Sequence, residues 1–306
     1  MIEISIVVPV YNSEDNLTEL CFQVEDALKD ISYELILVND SSTDNSWKVI
    51  EQLSVKYAQV NGVNLRKNCG QDNALMAGLN LSKGNYAVIM DDDLQHSPYD
   101  IVKLYEACKN SRSDVCYANF EKREQALWKN FGSWFNGKIS EWMMNKPKHI
   151  YLSPYKIFTR EIIDEIIKYV GPYPYVDGLI LWVTDNIIQI DVEHHKRFKG
   201  SSNFNFTRSI SVFLKNVTTF SVTPLRVASI VGSICSVIGF IMILYYLIDY
   251  FVHKNVVEGW TTLAVLQLFM GGLLLLSLGL KGEYLGRTYM NVNNKPQFTI
   301  KNTTKS

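Results

Sequence analysis

Short apolar runs alternate with longer stretches of helical periodicity over the first two hundred residues. The strand-like runs are Ile4 to Val8, Glu34 to Val38, Gln59 to Asn64 and Tyr86 to Met90. Between them, Ser13 to Lys29, Thr43 to Tyr57 and Gln71 to Leu81 mix polar and apolar positions as helices do. Strands separated by helices predict an α/β domain built on a doubly wound, mostly parallel sheet. In such sheets ligands bind beyond the carboxyl ends of the strands, so the residues just after each strand are the ones to inspect.

After residue 226 the pattern changes. Val227 to Leu247 and Thr261 to Leu280 are apolar and uncharged, and each is close to the ~20 residues with which a helix crosses ~30 Å of hydrocarbon. Buried helices of a soluble core would normally carry a polar stripe, and neither run has one. A two-helix transmembrane hairpin is therefore predicted. Lys215 and Arg226 precede it, Lys281 and Arg287 follow it, and Asp249, His253, Lys254 and Glu258 fill the linker. That balance predicts a multi-pass protein of the cytoplasmic membrane with both termini cytoplasmic. Before the hairpin, Phe206, Ile210, Phe213, Leu214 and Val217 recur at helical spacing beside Arg208 and Lys215. Such a segment fits an interfacial amphipathic helix, although a helix packed on the globular domain has the same spacing. The expected organisation is a cytoplasmic catalytic domain over 1–200, an interfacial segment over 201–226, the hairpin over 227–280 with spans near 227–247 and 261–280, and a cytoplasmic tail over 281–306.

Composition supports this division. A chain of 306 residues that is 47% hydrophobic suits one soluble domain with a small membrane part better than a polytopic transporter. The net charge of −1 conceals six basic and no acidic side chains between Lys196 and Arg226, a local excess suited to an anionic surface. No nucleic-acid partner is expected. The five cysteines lie at 21, 69, 108, 116 and 235 without paired metal-ligand spacing, which favours a reducing compartment. Met1 leads straight into the first apolar run with no basic leader or cleavage site, so no signal peptide is expected. Gly271, Gly272 and Gly279 in the second apolar run are small residues of the kind through which membrane helices associate, which leaves room for a homo-oligomer.

The strand ends hold the candidate chemistry. Pro9, Val10, Tyr11 and Asn12 follow the first strand, and Asn39 to Asp44 follow the second. Ser42 and Asp44 fit helix capping, whereas a carboxylate at the position of Asp40 is also placed to accept hydrogen bonds from a base or ribose. Arg66, Asn68, Cys69, Gly70 and Gln71 follow the third strand, where a basic side chain and a glycine-opened helix start could face an anionic group. The fourth strand ends in Asp91, Asp92, Asp93, Leu94 and Gln95. Three successive carboxylates repel one another unless a cation offsets them. Alternation puts Asp91 and Asp93 on one side, with Gln95 adding an amide oxygen and Asp92 pointing away. Mg²⁺ or Mn²⁺, completed by diphosphate oxygens, is the natural occupant. His194 and His195 have no His or Cys partner at ligand spacing, so zinc is not expected. Asp177 beside Gly178 fits either an orienting contact to a sugar hydroxyl or turn capping.

Taken together these motifs resemble a family-2 glycosyltransferase of the polyprenyl-phosphate type, the group of dolichyl-phosphate mannose synthase and bacterial undecaprenyl-phosphate glycosyltransferases. The resemblance spans almost the whole chain. It rests on Val7 to Asn12, the Asn39 to Asp44 turn, Asn68, Gly70 and Gln71 with Ala77, Gly78 and Leu79, and Asp91, Asp93, Leu94 and Gln95. Arg197, Gly200 and Ser202, and Gly282 to Arg287, extend it around the apolar runs. It implies a GT-A fold in which Pro9, Tyr11 and Asp40 hold the nucleoside of a UDP-linked sugar donor, with Asn12, Arg66, Asn68, Gly70 and Gln71 nearby, and Asp91 and Asp93 bind metal and diphosphate. Asp93 and Arg197 are the implied catalytic residues, and Lys122, Arg123, Lys156, Arg197, Ser202 and Arg287 are candidates to meet the phosphate of a polyprenyl acceptor. The chain departs from the pattern where an acidic residue and a glycine of the nucleoside turn are replaced by Asn39 and Ser41, and where Asn203 and His96 replace a lysine and an acidic residue.

A phosphate acceptor makes chemical sense, because a lipid monophosphate with a second pKa of about 6 needs no general base to remove a proton. The resemblance further implies direct displacement, which inverts the anomeric carbon. Two other readings compete. A hydroxyl-directed synthase of the same fold would favour a Gln-x-x-Arg-Trp element and more spans, which this chain lacks. A non-catalytic nucleotide-sensing membrane protein would have little use for the Asp91 and Asp93 pair.

Overall fold

The structure, a computed structural model, describes residues 2–120, 150–192, 223–253, 259–293 and 295–305. It divides into two compact units, one of Met1–Asn205 with Asn293–Ser306 and one of Phe206–Val292. The interfacial segment predicted over 201–226 lies mostly outside the described residues.

The first unit is a mixed α/β layer structure around one eight-stranded sheet. Its elements in chain order are β1 (Ile4–Val10), α1 (Leu17–Ala27), β2 (Tyr33–Asn39), α2 (Ser46–Lys56), β3 (Val60–Leu65), α3 (Gln71–Leu81), β4 (Tyr86–Ile89), α4 (Asp100–Ser111), β5 (Val115–Phe120), β6 (Lys156–Thr159), α5 (Arg160–Ile166), α6 (Val176–Val183), β7 (Ile187–Val192) and β8 (Ile300–Thr303). The strand order is β7-β5-β6-β4-β1-β2-β3-β8. The four strands read from the sequence form the parallel centre, β4-β1-β2-β3. Antiparallel pairings of β4 with β6, β5 with β6 and β3 with β8 add to it, so the sheet is mostly parallel, as predicted.

The centre is parallel because its strands are apolar on both faces. In β1 only Pro9 is less than fully buried, the pattern of a strand covered by helices above and below. Pro9 is tolerated because the pairing with β4 ends at Val7 and Ile89, before the missing N–H would be felt. In α1, Leu17, Leu20, Cys21 and Val24 are the buried positions, a helical stripe that joins Ile4, Ile6 and Val8 in the core. In α3, every residue from Ala74 to Leu79 is buried. Gly78 is needed there, since a Cβ would lie 2.4 Å from Val7 Cγ1.

β8 has no counterpart among the elements that the sequence predicts. The sequence reading leaves 281–306 as a tail, whereas Asn293–Ser306 belongs to the first unit and Ile300–Thr303 pairs with β3. A four-residue segment with one apolar side chain has no period strong enough to announce a strand. Its partner edge supplies the missing information.

The second unit holds two long helices, α7 (Thr223–His253, 31 residues) and α8 (Trp260–Val292, 33 residues). Their described side chains expose large apolar groups such as Ile230, Phe240, Phe269 and Leu275. Counted over the described residues alone, no helix is long and apolar enough to cross a membrane.

Candidate active site

Because β4, β1, β2 and β3 run parallel, the loops that leave them gather at one edge of the sheet. Each of these loops contains a residue in the left-handed region: Asn12 (φ 53°), Ser41 (φ 57°), Gly70 (φ 92°) and Leu94 (φ 59°). Only the third is a glycine. Non-glycine residues held in this region cost about 1–3 kcal/mol each, and such conformations cluster where a loop must present groups to a ligand.

A hydrogen-bond lattice holds the strained loops. The Asn12 amide donates to Ser42 Oγ (3.0 Å), and the Thr43 amide donates to Asn12 Oδ1 (2.8 Å). The Ser13 amide reaches Ser46 Oγ (2.9 Å), and the Asn45 amide reaches Glu14 Oε2 (2.8 Å). The first two loops therefore fold as one piece. Asp40, only 4% exposed, accepts from the amides of Cys69 (2.7 Å) and Gly70 (2.9 Å), one on each oxygen. Burial pushes its pKa up, against the pull of those two amides. Asp40 thus clamps the third loop to the second, a role that its position after a strand does not by itself reveal.

The carboxylates after β4 are half-buried. Gln71 Nε2, at the start of α3, donates to Asp91 Oδ1 (2.8 Å), and the Gln95 amide donates to Asp93 Oδ1 (3.1 Å). Asp92 turns to the first loop instead, where Ser13 and the Tyr11 amide are its partners. Burial raises its pKa to about 6; the hydrogen bond from Ser13 opposes this and the charge of Asp93 adds to it. His96 is a further member that the sequence offered only as a departure from a pattern. It is 4% exposed, lies between the rings of Phe120 (5.3 Å) and Tyr155 (5.1 Å), and its Nδ1 accepts from the Asp91 amide (3.1 Å). The imidazole thereby fixes the backbone from which Asp91 projects.

The other predicted residues fall into two groups. Tyr11, Asn12, Arg66, Asn68 and Gln71 are exposed at the loop edge, with Pro9 and Gly70 half-buried beside them. Lys156, by contrast, is 2% exposed and pairs with Asp177 at the start of α6, and Tyr117 Oη donates to the same Asp177 oxygen (2.8 Å). Its charge is thus balanced inside the protein. Lys122, Arg123, Arg197 and Ser202 lie outside the described residues, and of Arg287 only the backbone, in α8, is described. Among the described residues, no group of three or more His, Cys, Asp and Glu side chains is placed to hold a metal.

A mostly parallel sheet whose strand-exit loops meet beside paired carboxylates defines a GT-A-like α/β protein. The chain belongs to glycosyltransferase family 2, whose family model, "Glycosyl transferase family 2", matches residues 5–167. Its relatives include two that it matches nearly end to end. An undecaprenyl-phosphate 4-deoxy-4-formamido-L-arabinose transferase of Aeromonas hydrophila is 31% identical over 99% of this chain and 94% of its own. A prophage-derived bactoprenol glucosyl transferase of Shigella flexneri is 29% identical over 98% of this chain and 97% of its own. Among solved structures, glucosyl-3-phosphoglycerate synthase of Mycobacterium tuberculosis, in complex with Mn²⁺, UDP-glucose and phosphoglyceric acid, superposes with a TM-score of 0.52 at 16% identity, covering 71% of this chain and 78% of that one. At that identity the likeness concerns the fold.

Proposed function

We propose that the protein is an inverting glycosyltransferase that moves a sugar from a UDP-linked donor to a polyprenyl phosphate at the cytoplasmic face of the cytoplasmic membrane. The observation that carries this reading is the placement of Asp91 and Asp93 beside the four converging loops. The acceptor is suggested by the names of the two full-length relatives.

Tyr11, Asn12 and Pro9 offer a surface for the base and ribose, and Arg66, Asn68 and the amides opening α3 face the diphosphate. Asp91 and Asp93 are hard oxygen ligands, and Mg²⁺ or Mn²⁺ needs only one or two carboxylates when diphosphate oxygens complete its shell. The donor set therefore fits such an ion, with Gln95 able to add an amide oxygen. When bound, the metal offsets negative charge gathering on the diphosphate leaving group. An acceptor phosphate oxygen bonds to the anomeric carbon as the bond to the diphosphate breaks, and the configuration inverts. No proton needs to be removed, so the protein's task is to align and neutralise. We assign the neutralising role to Arg197, and a further role in meeting the acceptor phosphate to Lys122, Arg123, Ser202 and Arg287. Lys156 would contribute through its pairing with Asp177. We further propose that 227–247 and 261–280 span the membrane, with the catalytic domain and both termini cytoplasmic.

The test is transfer from radiolabelled nucleotide sugars to undecaprenyl phosphate by the purified chain, with Mg²⁺, Mn²⁺ or EDTA. We expect metal-dependent label in an acid-labile lipid, and a loss of at least a hundredfold in Asp93→Ala, which should unfold like the wild type. Transfer by Asp93→Ala near the wild-type rate would remove the metal assignment, and absence of any lipid product from a folded protein would remove the acceptor.

A further inference from the structure

The residues that follow α8 return to the catalytic unit, where they meet β3 and the backbone of the loop that leaves it. Pairing of β8 with β3 sets Asn302 opposite Asn64. Asn64 Nδ2 donates to Asn302 Oδ1 (3.1 Å), and Asn39 Nδ2 donates to Asn64 Oδ1 (2.9 Å). Asn39 Oδ1 in turn accepts from the Ser42 amide (3.3 Å). Ser42 Oγ is the acceptor for the Asn12 amide (3.0 Å). An unbroken row of side-chain amides thus crosses three strands from the chain's last strand to the loops after β2 and β1. The orientation of every amide is dictated from one end. Because the Ser42 N–H must meet an oxygen, Asn39 presents its NH₂ to Asn64, and Asn64 presents its own to Asn302. Asn39 and Asn64 are 2% and 7% exposed, so each needs its partner.

A second thread runs in parallel. The Arg66 amide donates to the Thr299 carbonyl (2.8 Å), and Arg66 opens the loop whose Cys69 amide is held by Asp40. The close approach is built in at Gly62. Its amide donates to Thr304 Oγ1 (2.8 Å) and its carbonyl accepts from the Thr304 amide (2.9 Å). A Cβ at that position would lie 2.4 Å from Ile50 Cγ2 and 2.8 Å from Thr304 Cγ2.

We propose that Asn302 of β8 is a positioning residue of the donor site, acting through the Asn302–Asn64–Asn39 amide row on the loops that hold the nucleotide. The inference rests on the donor-site reading above and adds residues that touch no substrate themselves. Asn302 is exposed and outside the core, so the row can be cut at its far end without opening a cavity.

The experiment uses the full chain in detergent micelles and compares wild type with Asn302→Ala, Asn302→Asp and Lys301→Ala. Each is titrated with UDP, GDP and TDP, and donor KM, acceptor KM and kcat are measured alongside thermal unfolding. Asn302→Ala should weaken nucleotide binding and raise donor KM about three- to tenfold, the span of one neutral hydrogen bond, with kcat and acceptor KM within twofold of wild type. In Asn302→Asp the carboxylate still accepts from Asn64, so binding should return to within twofold. Lys301, exposed on the same strand, should be silent. Unchanged nucleotide binding in Asn302→Ala would overturn the inference while leaving the proposed function standing. Equal losses in the alanine and aspartate variants, or losses that follow a fall in Tm and kcat together, would reduce the segment to an edge cover and also overturn it. A wild-type chain that binds none of the three nucleotides would sink both readings.

Discussion

Single side chains decide what the loop edge can do. Asp40 and Asp92 follow strands in the same way that Asp91 and Asp93 do, yet their partners separate them. Asp40 accepts from the Cys69 and Gly70 amides, one on each oxygen, Asp92 faces Ser13 and Tyr11, and Asp91 and Asp93 accept from the Gln71 side chain and the Gln95 amide. His96 shows the same dependence on context: its stacking between Phe120 and Tyr155 and its bond to the Asp91 amide join residues far apart in the chain. Away from the site, burial pushes the thiols of Cys21, Cys108 and Cys116 up to about 12. In the unfolded chain such thiols ionise near ~8.5, so stability from this source is complete below ~8.5 and is lost as pH rises toward the folded values. The cost is about 1 kcal/mol per thiol at pH 9.5. Urea midpoints measured from pH 8 to 10 should therefore fall, and fall less steeply in Cys116→Ala; a flat profile would contradict the burial of these thiols.

At the scale of elements, close approach matters more than propensity. Alanine is the better helix former by about 1 kcal/mol, but at Gly78 its Cβ would meet Val7 Cγ1 at 2.4 Å and Val38 Cγ2 at 3.1 Å. Overpacking of that kind costs about 1–3 kcal/mol. Gly78→Ala should thus lower the urea-derived stability by up to about 2 kcal/mol; a raised midpoint would mean that α3 can lift from the sheet at little cost. The strands of the parallel centre were legible because each is an apolar run between amphipathic helices, and α3 falls where its periodicity places it, at Gln71–Leu81. By contrast β6 (KIFT) and β8 (IKNT) are four residues each. They exist because a neighbouring edge needs hydrogen bonds, a demand that no local pattern records.

For the whole molecule, the division into a catalytic unit and a two-helix unit has a direct consequence if the apolar runs are spans. Membranes from cells expressing the chain should retain it through alkaline carbonate and high-salt washing, as an integral protein would be retained. Recovery in the wash would exclude spans at 227–247 and 261–280 and leave surface attachment through the basic residues between Lys196 and Arg226. The same division carries the chain back from α8 to pair β8 with β3, so the catalytic unit contains both ends of the sequence.

What the sequence determined by itself is whatever rests on local pattern and residue chemistry. That covers the α/β alternation, the carboxylates at the end of β4, the two long apolar runs and, through the motifs in order, the glycosyltransferase family. Only the tertiary structure decided which polar residues stand exposed at the loop edge and which hold the frame. Asn39, Asn64 and Asn302 are unremarkable asparagines until three strands bring their amides into one row. Lys156 and Asp177 are separate charges until burial leaves them no partner as near as each other. The physical reason is common to these cases: a hydrogen bond or ion pair between distant residues has no period along the chain, and it comes into being only when hydrophobic burial has set the register of the sheet.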